Sequence, residues 1–247
     1  SADAGIIVRT AGAGQAPGET RIDLAAKNVG IFKGILEEVG ESGFGGIMIV
    51  VANPVDVLTY EAAKLSGLPE GHVLGSGTVL DTGRLKLSLG EELDVDPRNV
   101  HAQILGEHGD SELVAWSSSH VAGIPLEDFY HMRKEGSFEA FLKEAEEDVR
   151  NSAYEIIEKK HATYYGIAMS AKRICEAIVR DEKSVLPVST VLHGEYGIDD
   201  VALSLPSIVG RNGVELSMPP DLNYKEQKSL KASANALKQV LEDVGLG

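Results

Sequence analysis

A single cysteine among 247 residues excludes an internal disulfide, so packing and hydrogen bonding must hold the chain together. That residue, Cys175, falls in a helical pattern, where buried filler is its expected role and a reducing compartment its expected setting. Basic residues are also scarce: 23 Lys and Arg stand against 38 Asp and Glu, a net charge of −15. A surface of that sign repels phosphate backbones and anionic lipid, so neither nucleic acid nor membrane is an expected partner. Although 43% of the residues are hydrophobic, they nowhere form the run of about 20 that a membrane span needs. Ser1-Ala-Asp-Ala lacks a basic start and Gly5 to Val8 is too short an apolar run, so no signal peptide is expected. The sequence has no internal repeat and no low-complexity tract. What remains is a globular chain with ample core for one large or two ordinary domains, and a cytoplasmic setting is expected. It opens without methionine, as expected of a processed chain or a part of something longer.

Periodicity supplies the elements. Gly5 to Val8 reads as a short strand, and the small residues from Ala11 to Gly18 as a mobile surface loop. From Thr20, apolar steps of three and four at Ile22, Ala25, Val29, Phe32, Leu36 and Val39 predict a helix that Gly40 ends. Ile47 to Val51 is a continuous apolar strand, Asp56 to Leu65 a helix, and His72 to Gly75 another strand. Strand, helix, strand, helix, strand implies right-handed crossovers and a parallel sheet. Its ligands belong beyond the strand ends, near Ala11 to Ala13, Ala52 to Pro54 and Gly75 to Gly77. On spacing alone, those small residues serve equally well as tight turns. After Thr78 come a helix to about Leu93, a strand from Asn99 to Leu105 and an antiparallel neighbour at Glu112 to Trp116. A long helical stretch follows from Phe138 to Asp181, with a kink expected at Gly166. Strands at Ser184 to Leu192 and Val201 to Val209 and a closing helix at Asn223 to Val244 complete the chain. The expected fold is α/β: the C-terminal half of a Rossmann-type parallel sheet, a partial nucleotide-binding domain, in residues 1–76, then an α+β domain in residues 77–247.

The chemistry centres on Gly106-Glu107-His108-Gly109 at the end of the Asn99 to Leu105 strand. An imidazole there can take and give a proton near neutral pH if a partner orients it. Asp81 is a candidate partner, and Arg84 shares its helix face. A turn histidine and a solvated ion pair are the plain alternatives, open on these residues alone.

Six segments come in order: Thr10-Ala-Gly-Ala-Gly-Gln-Ala-Pro-Gly-Glu-Thr-Arg21, Ala52-Asn-Pro-Val-Asp56, Gly75-Ser-Gly-Thr78, Leu80-Asp-Thr-Gly-Arg84, Gly106-Glu-His-Gly-Asp110 and Ala162-Thr-Tyr-Tyr-Gly166. Together they resemble the bacterial NAD-dependent L-lactate dehydrogenases, from residue 1 to the last helix. The resemblance implies that His108 is the proton donor and acceptor, Asp81 its carboxylate partner, and Arg21 the group that polarises the reacting carbonyl. It implies that Arg84 binds the substrate carboxylate, with Gln15, Asn53 and Thr163 also at the substrate. Gln15 stands where malate-specific relatives carry arginine. A neutral side chain suits the methyl of pyruvate, whereas the second carboxylate of oxaloacetate needs a cation. NAD is the implied cofactor, held by Ala11, Gly12, Asn53, Ser76 and Ile167, and no metal site is expected. Arg21 follows the mobile loop, so closure over substrate is expected to limit turnover. A homotetramer is implied, as is a fructose 1,6-bisphosphate activator at Lys86 and His101.

The sequence also departs from the pattern. The Gly-x-Gly-x-x-Gly turn and the acidic ribose ligand of the family are missing, about 70 to 90 residues if each strand-helix unit takes 30 or more. A bare sheet edge beside Ile6 to Thr10 and weak NADH binding by these residues alone are therefore expected. Arg9 replaces an apolar strand residue, Gly83 a helical alanine and His161 a glycine. A malate dehydrogenase and a silent remnant that only oligomerises are the competing readings.

Overall fold

The computed structural model describes residues 3–14, 21–160 and 165–247, with the side chains of residues 21 and 151–160 left aside. Its strands and helices run β1 (Ile6–Arg9), α1 (Arg21–Glu41), β2 (Ile47–Val50), α2 (Val55–Leu65), β3 (Val73–Gly75) and α3 (Val79–Leu93). Then come β4 (Val100–His101), β5 (Ile104–Leu105), β6 (Leu113–Val114), β7 (His120–Val121), β8 (Ile124–Pro125), α4 (Leu126–Arg133), α5 (Phe138–Lys160) and α6 (Tyr165–Val179). The chain closes with β9 (Ser184–His193), β10 (Asp199–Gly210), β11 (Gly213–Ser217) and α7 (Tyr224–Asp243).

The main sheet has the order β1-β2-β3-β9-β10-β11. Its first three strands are parallel, with Ile6 opposite Ile47 and Met48 opposite Val73. All four residues of β2 are buried, as a strand covered on both faces requires. β9 joins β3 antiparallel through Gly75 and Ser189, so a single sheet carries both halves of the chain. Among the described residues β1 is an end strand. On α1, Phe32 and Leu36 are buried against β2 and α2 and Ala25 is buried as well, while Ile22, expected on the same stripe, is 45% exposed in the first turn. On α7, Leu230, Ala234, Leu237 and Leu241 are buried against β10, and an Asn223–Glu226 capping box starts the helix.

One expectation changes. The Asn99 to Leu105 strand is broken at Ala102-Gln103, because β4 pairs with β7 while β5 pairs with β6, and Ala115 N donates to Gln103 O at 3.0 Å between them. Of the long helical stretch, α5 and α6 are described, and residues 161–164 between them, including His161, lie outside the described residues. Gly166 lies in the first turn of α6, where a Cβ would stand 3.0 Å from Leu80 Cδ1, so its smallness lets α6 approach α3. The helix α4 and strands β7, β8 and β11 were not anticipated. Arg9 is half-buried beside Phe32, its Cζ 5.5 Å from the ring centre, and its Nε and Nη2 have no hydrogen-bond partner among the described residues. Burial lowers its pKa, with Glu38 opposing the shift.

Candidate active site

The turn bearing His108 is held by hydroxyls and carboxylates from distant elements. Thr78 Oγ1 donates to Ile104 O at 2.5 Å, and Ile104 N donates to Thr82 Oγ1 at 2.9 Å. These two contacts fasten β5 to the first turn of α3, the turn that carries Asp81. Gly106, at φ +90°, exchanges backbone hydrogen bonds of 3.0 Å with Ser204 of β10. A Cβ at Gly106 would stand 3.0 Å from Ser233 Oγ, so glycine serves both the conformation and the approach. Glu107 N then donates to Ser233 Oγ of α7 at 3.0 Å, and His108 N to Asp56 Oδ2 of α2 at 2.8 Å. Three successive amides thus point to three different elements.

Held this way, the His108 ring meets Asp81, with Nδ1 2.6 Å from Oδ2. The other Asp81 oxygen, Oδ1, accepts from Arg84 Nη1 at 3.2 Å. Asp81 is 4% exposed. Arg84 is turned inward and the imidazole is a quarter exposed, their side chains keeping 17% and 26% of their free surface. Burial works against charge on His108, but the hydrogen bond and charge of Asp81, with Asp56 and Glu112, outweigh it and raise the imidazole to about 9. Nδ1 is occupied by Asp81, so the ring exchanges a proton at Nε2. The arrangement suits acid/base work next to a bound anion.

Two family models match this chain end to end: the lactate/malate dehydrogenase NAD-binding domain over residues 1–75, and the lactate/malate dehydrogenase α/β C-terminal domain over residues 78–245. The chain belongs to the lactate/malate dehydrogenase family. An L-lactate dehydrogenase 1 of Peribacillus psychrosaccharolyticus is 51% identical over 97% of this chain and 75% of its own length. The L-lactate dehydrogenase of Streptococcus thermophilus is likewise 51% identical, over 98% of this chain and 74% of its own length. Among solved structures, a lactate dehydrogenase from a Medee basin deep-sea metagenome superposes with a TM-score of 0.95 at 46% identity, covering 99% of this chain and 78% of that one.

In this lactate/malate dehydrogenase fold small residues gather at the ends of the first three strands. Asn28 of α1, 1% exposed, accepts from Ala13 N at 2.7 Å and donates to Asn53 O at 2.7 Å, which draws the ends of β1 and β2 together. A Cβ on Gly12 would stand 3.3 Å from Ala52 Cβ and 3.5 Å from the Asn28 amide, filling the space between the two strand ends. Ala11, Gly12 and Asn53 are exposed there, whereas Ser76, at the end of β3, is buried. Ile167 is half-buried on α6. Small residues beyond parallel strand ends, with the space that a side chain at Gly12 would fill, fit a dinucleotide's close approach. Gln15 and Thr163 lie outside the described residues, as do the rest of the loop from residue 15 to 20 and the Arg21 side chain.

Lys86 of α3 and His101 of β4 come near enough for the lysine charge to act on the ring. The His101 ring stacks on His120 at 4.7 Å, and burial lowers its pKa, helped by the charges of His120 and Lys86. Burial also lowers the pKa of Lys86.

Three contributors at the site were not singled out from the sequence. Asp56, 2% exposed, accepts from His108 N and, at 2.5 Å, from Ser189 Oγ. Burial lifts it to about 6, against both hydrogen bonds and the charge of His108. Its only sequence signal was its place in the Ala52 to Asp56 segment. Asn28 and Glu112 gave none, because each acts across a turn that spacing does not describe.

Proposed function

We propose that this chain interconverts L-lactate and pyruvate by hydride transfer with NAD(H). The observation that carries the reading is the Asp81 carboxylate bridging His108 Nδ1 at 2.6 Å and Arg84 Nη1 at 3.2 Å. Residues 1–76 form the cofactor part and residues 77–247 the substrate part. Ala11, Gly12, Asn53, Ser76 and Ile167 hold the dinucleotide, and the nicotinamide, when bound, supplies hydride donation and acceptance.

Arg84 binds the substrate carboxylate through its planar fork, a geometry that lysine cannot reproduce. His108 Nε2 then lies toward the substrate oxygen, taking the hydroxyl proton of lactate or returning one to pyruvate. Negative charge that grows on that oxygen during reduction is met by imidazolium and by Arg21. Asp81 keeps His108 in the tautomer and orientation this requires. Gln15, Asn53 and Thr163 line the substrate, and the neutral Gln15 favours a methyl group over a second carboxylate.

Steady-state kcat/KM for pyruvate and oxaloacetate tests this. Pyruvate should be the better substrate, His108→Asn should lose about 100-fold or more, and Gln15→Arg should turn the preference toward oxaloacetate. An unchanged His108→Asn variant, or an original preference for oxaloacetate, would overturn the reading. We further propose a cytoplasmic homotetramer; the exposed Tyr165, Met169 and Val179 along α6 support an assembly surface. Lys86 and His101 are read as binding fructose 1,6-bisphosphate, with His120 stacked behind the ring. Titration of activity with the bisphosphate should show activation that Lys86→Gln abolishes.

A further inference from the structure

Glu112 stands between the catalytic pair and an open groove. One carboxylate oxygen each from Glu112 and Asp81 and a ring nitrogen of His108 lie within 4.8 Å of one another. Glu112 also lines a groove of about 450 Å³ that includes Trp116, Glu146, Arg150 and Ser233. Two carboxylates so close to one imidazole cannot both ionise without cost, so the protonation of one depends on the others. The charged groups around Glu112 are Asp81 and Arg84 of α3, His108 of the turn and Arg150 of α5, with Glu146, Lys225 and Glu226 along the groove.

We propose that Glu112 is a positioning residue of the acid/base site, a second carboxyl whose ionisation sets the proton affinity of His108. Burial and the charge of Asp81 hold Glu112 protonated well above the usual carboxylate range, against His108, Arg150 and Arg84. As the acid, Glu112 leaves Asp81 as the sole anion in contact with the ring. As the carboxylate it adds a second negative charge, which holds the imidazolium proton more tightly as pH rises. The effect is to widen the pH range over which His108 stays charged.

This inference rests on the role of His108 proposed above, so the test must not depend on turnover. The His108 imidazole proton resonances, followed against pH in the substrate-free protein, should titrate in two steps above pH 7, one from the ring and one from Glu112, with Asp56 titrating below them at about 6. Glu112→Gln should leave a single step with its midpoint lower by about half a unit to one unit. Glu112→Ser should do the same, covering the case in which glutamine disturbs the fold, and Glu112→Asp should restore the second step. A single step in the unaltered protein, or an unmoved midpoint in both neutral variants, would overturn the proposal and leave Glu112 a wall of the groove. The midpoint of pyruvate kcat/KM should follow the ring in each variant. Imidazole shifts without pyruvate turnover would count against the reaction and leave the Glu112 coupling intact.

Discussion

The carboxylate of Asp56 accepts a hydrogen bond of 2.8 Å from the backbone nitrogen of His108, 52 residues further along the chain. It fixes the peptide behind the imidazole, whereas Asp81 fixes the ring. The two acids therefore divide the work: one locates the residue and the other aims it.

Removing the first should be visible in kinetics. Asp56→Ala should lower pyruvate kcat/KM by about 10- to 100-fold, because a small displacement of a reacting group is costly. Asp56→Asn, which keeps an oxygen for the amide, should lose less. Urea unfolding of Asp56→Ala should show a stability loss of about 1–3 kcal/mol from the unpaired amide and Ser189 hydroxyl.

The pH dependence should separate the two directions of the reaction. Pyruvate reduction needs the imidazolium, and the ring is raised to about 9, so kcat/KM should be level through neutrality and fall above that value. Lactate oxidation needs the neutral ring and should rise by about tenfold per pH unit up to the same midpoint. The raised value also favours the folded state: this contribution is complete below the unfolded imidazole value of about 6.5 and disappears as pH rises through about 9.

Glu61 of α2 is 0% exposed, and neither of its carboxylate oxygens has a hydrogen-bond partner among the described residues. Burial raises it to about 7, with Lys33 opposing the shift. The unfolded chain releases this proton near pH 4.5 and the folded chain holds it until about 7, so stability is lost across that interval. Glu61→Leu should gain up to about 3 kcal/mol at pH 8 and little at pH 4.5. Urea midpoints at the two pH values check it.

Gly83 occupies the interior of α3 with φ/ψ that any residue can adopt, and a Cβ there would meet nothing within 4 Å. Gly83→Ala should therefore raise stability by about 0.5–1 kcal/mol. Thermal unfolding measures it, and a loss instead would mean that the turn between Asp81 and Arg84 resists alanine for another reason.

Local patterns were legible where one face of an element is dry. The apolar steps of α1 and α7 and the unbroken Ile47 to Val50 run state their own burial. The break at Ala102-Gln103 was hidden because a change of pairing partner leaves no mark on alternation. His108, Asp81 and Arg84 could be read together because ordered motifs carry them, and the structure brings all three into contact. Asp56, Asn28 and Glu112 act through backbone amides, carbonyls and through-space charge. Such partners are chosen by tertiary approach, which no spacing rule encodes.

Because the amides of 106, 107 and 108 are claimed by β10, α7 and α2 in turn, the imidazole cannot be set until all three segments have docked. Catalytic competence is then a report on the assembly of the whole molecule. During refolding, enzymatic activity should return with the last of these elements, well after most of the helix signal.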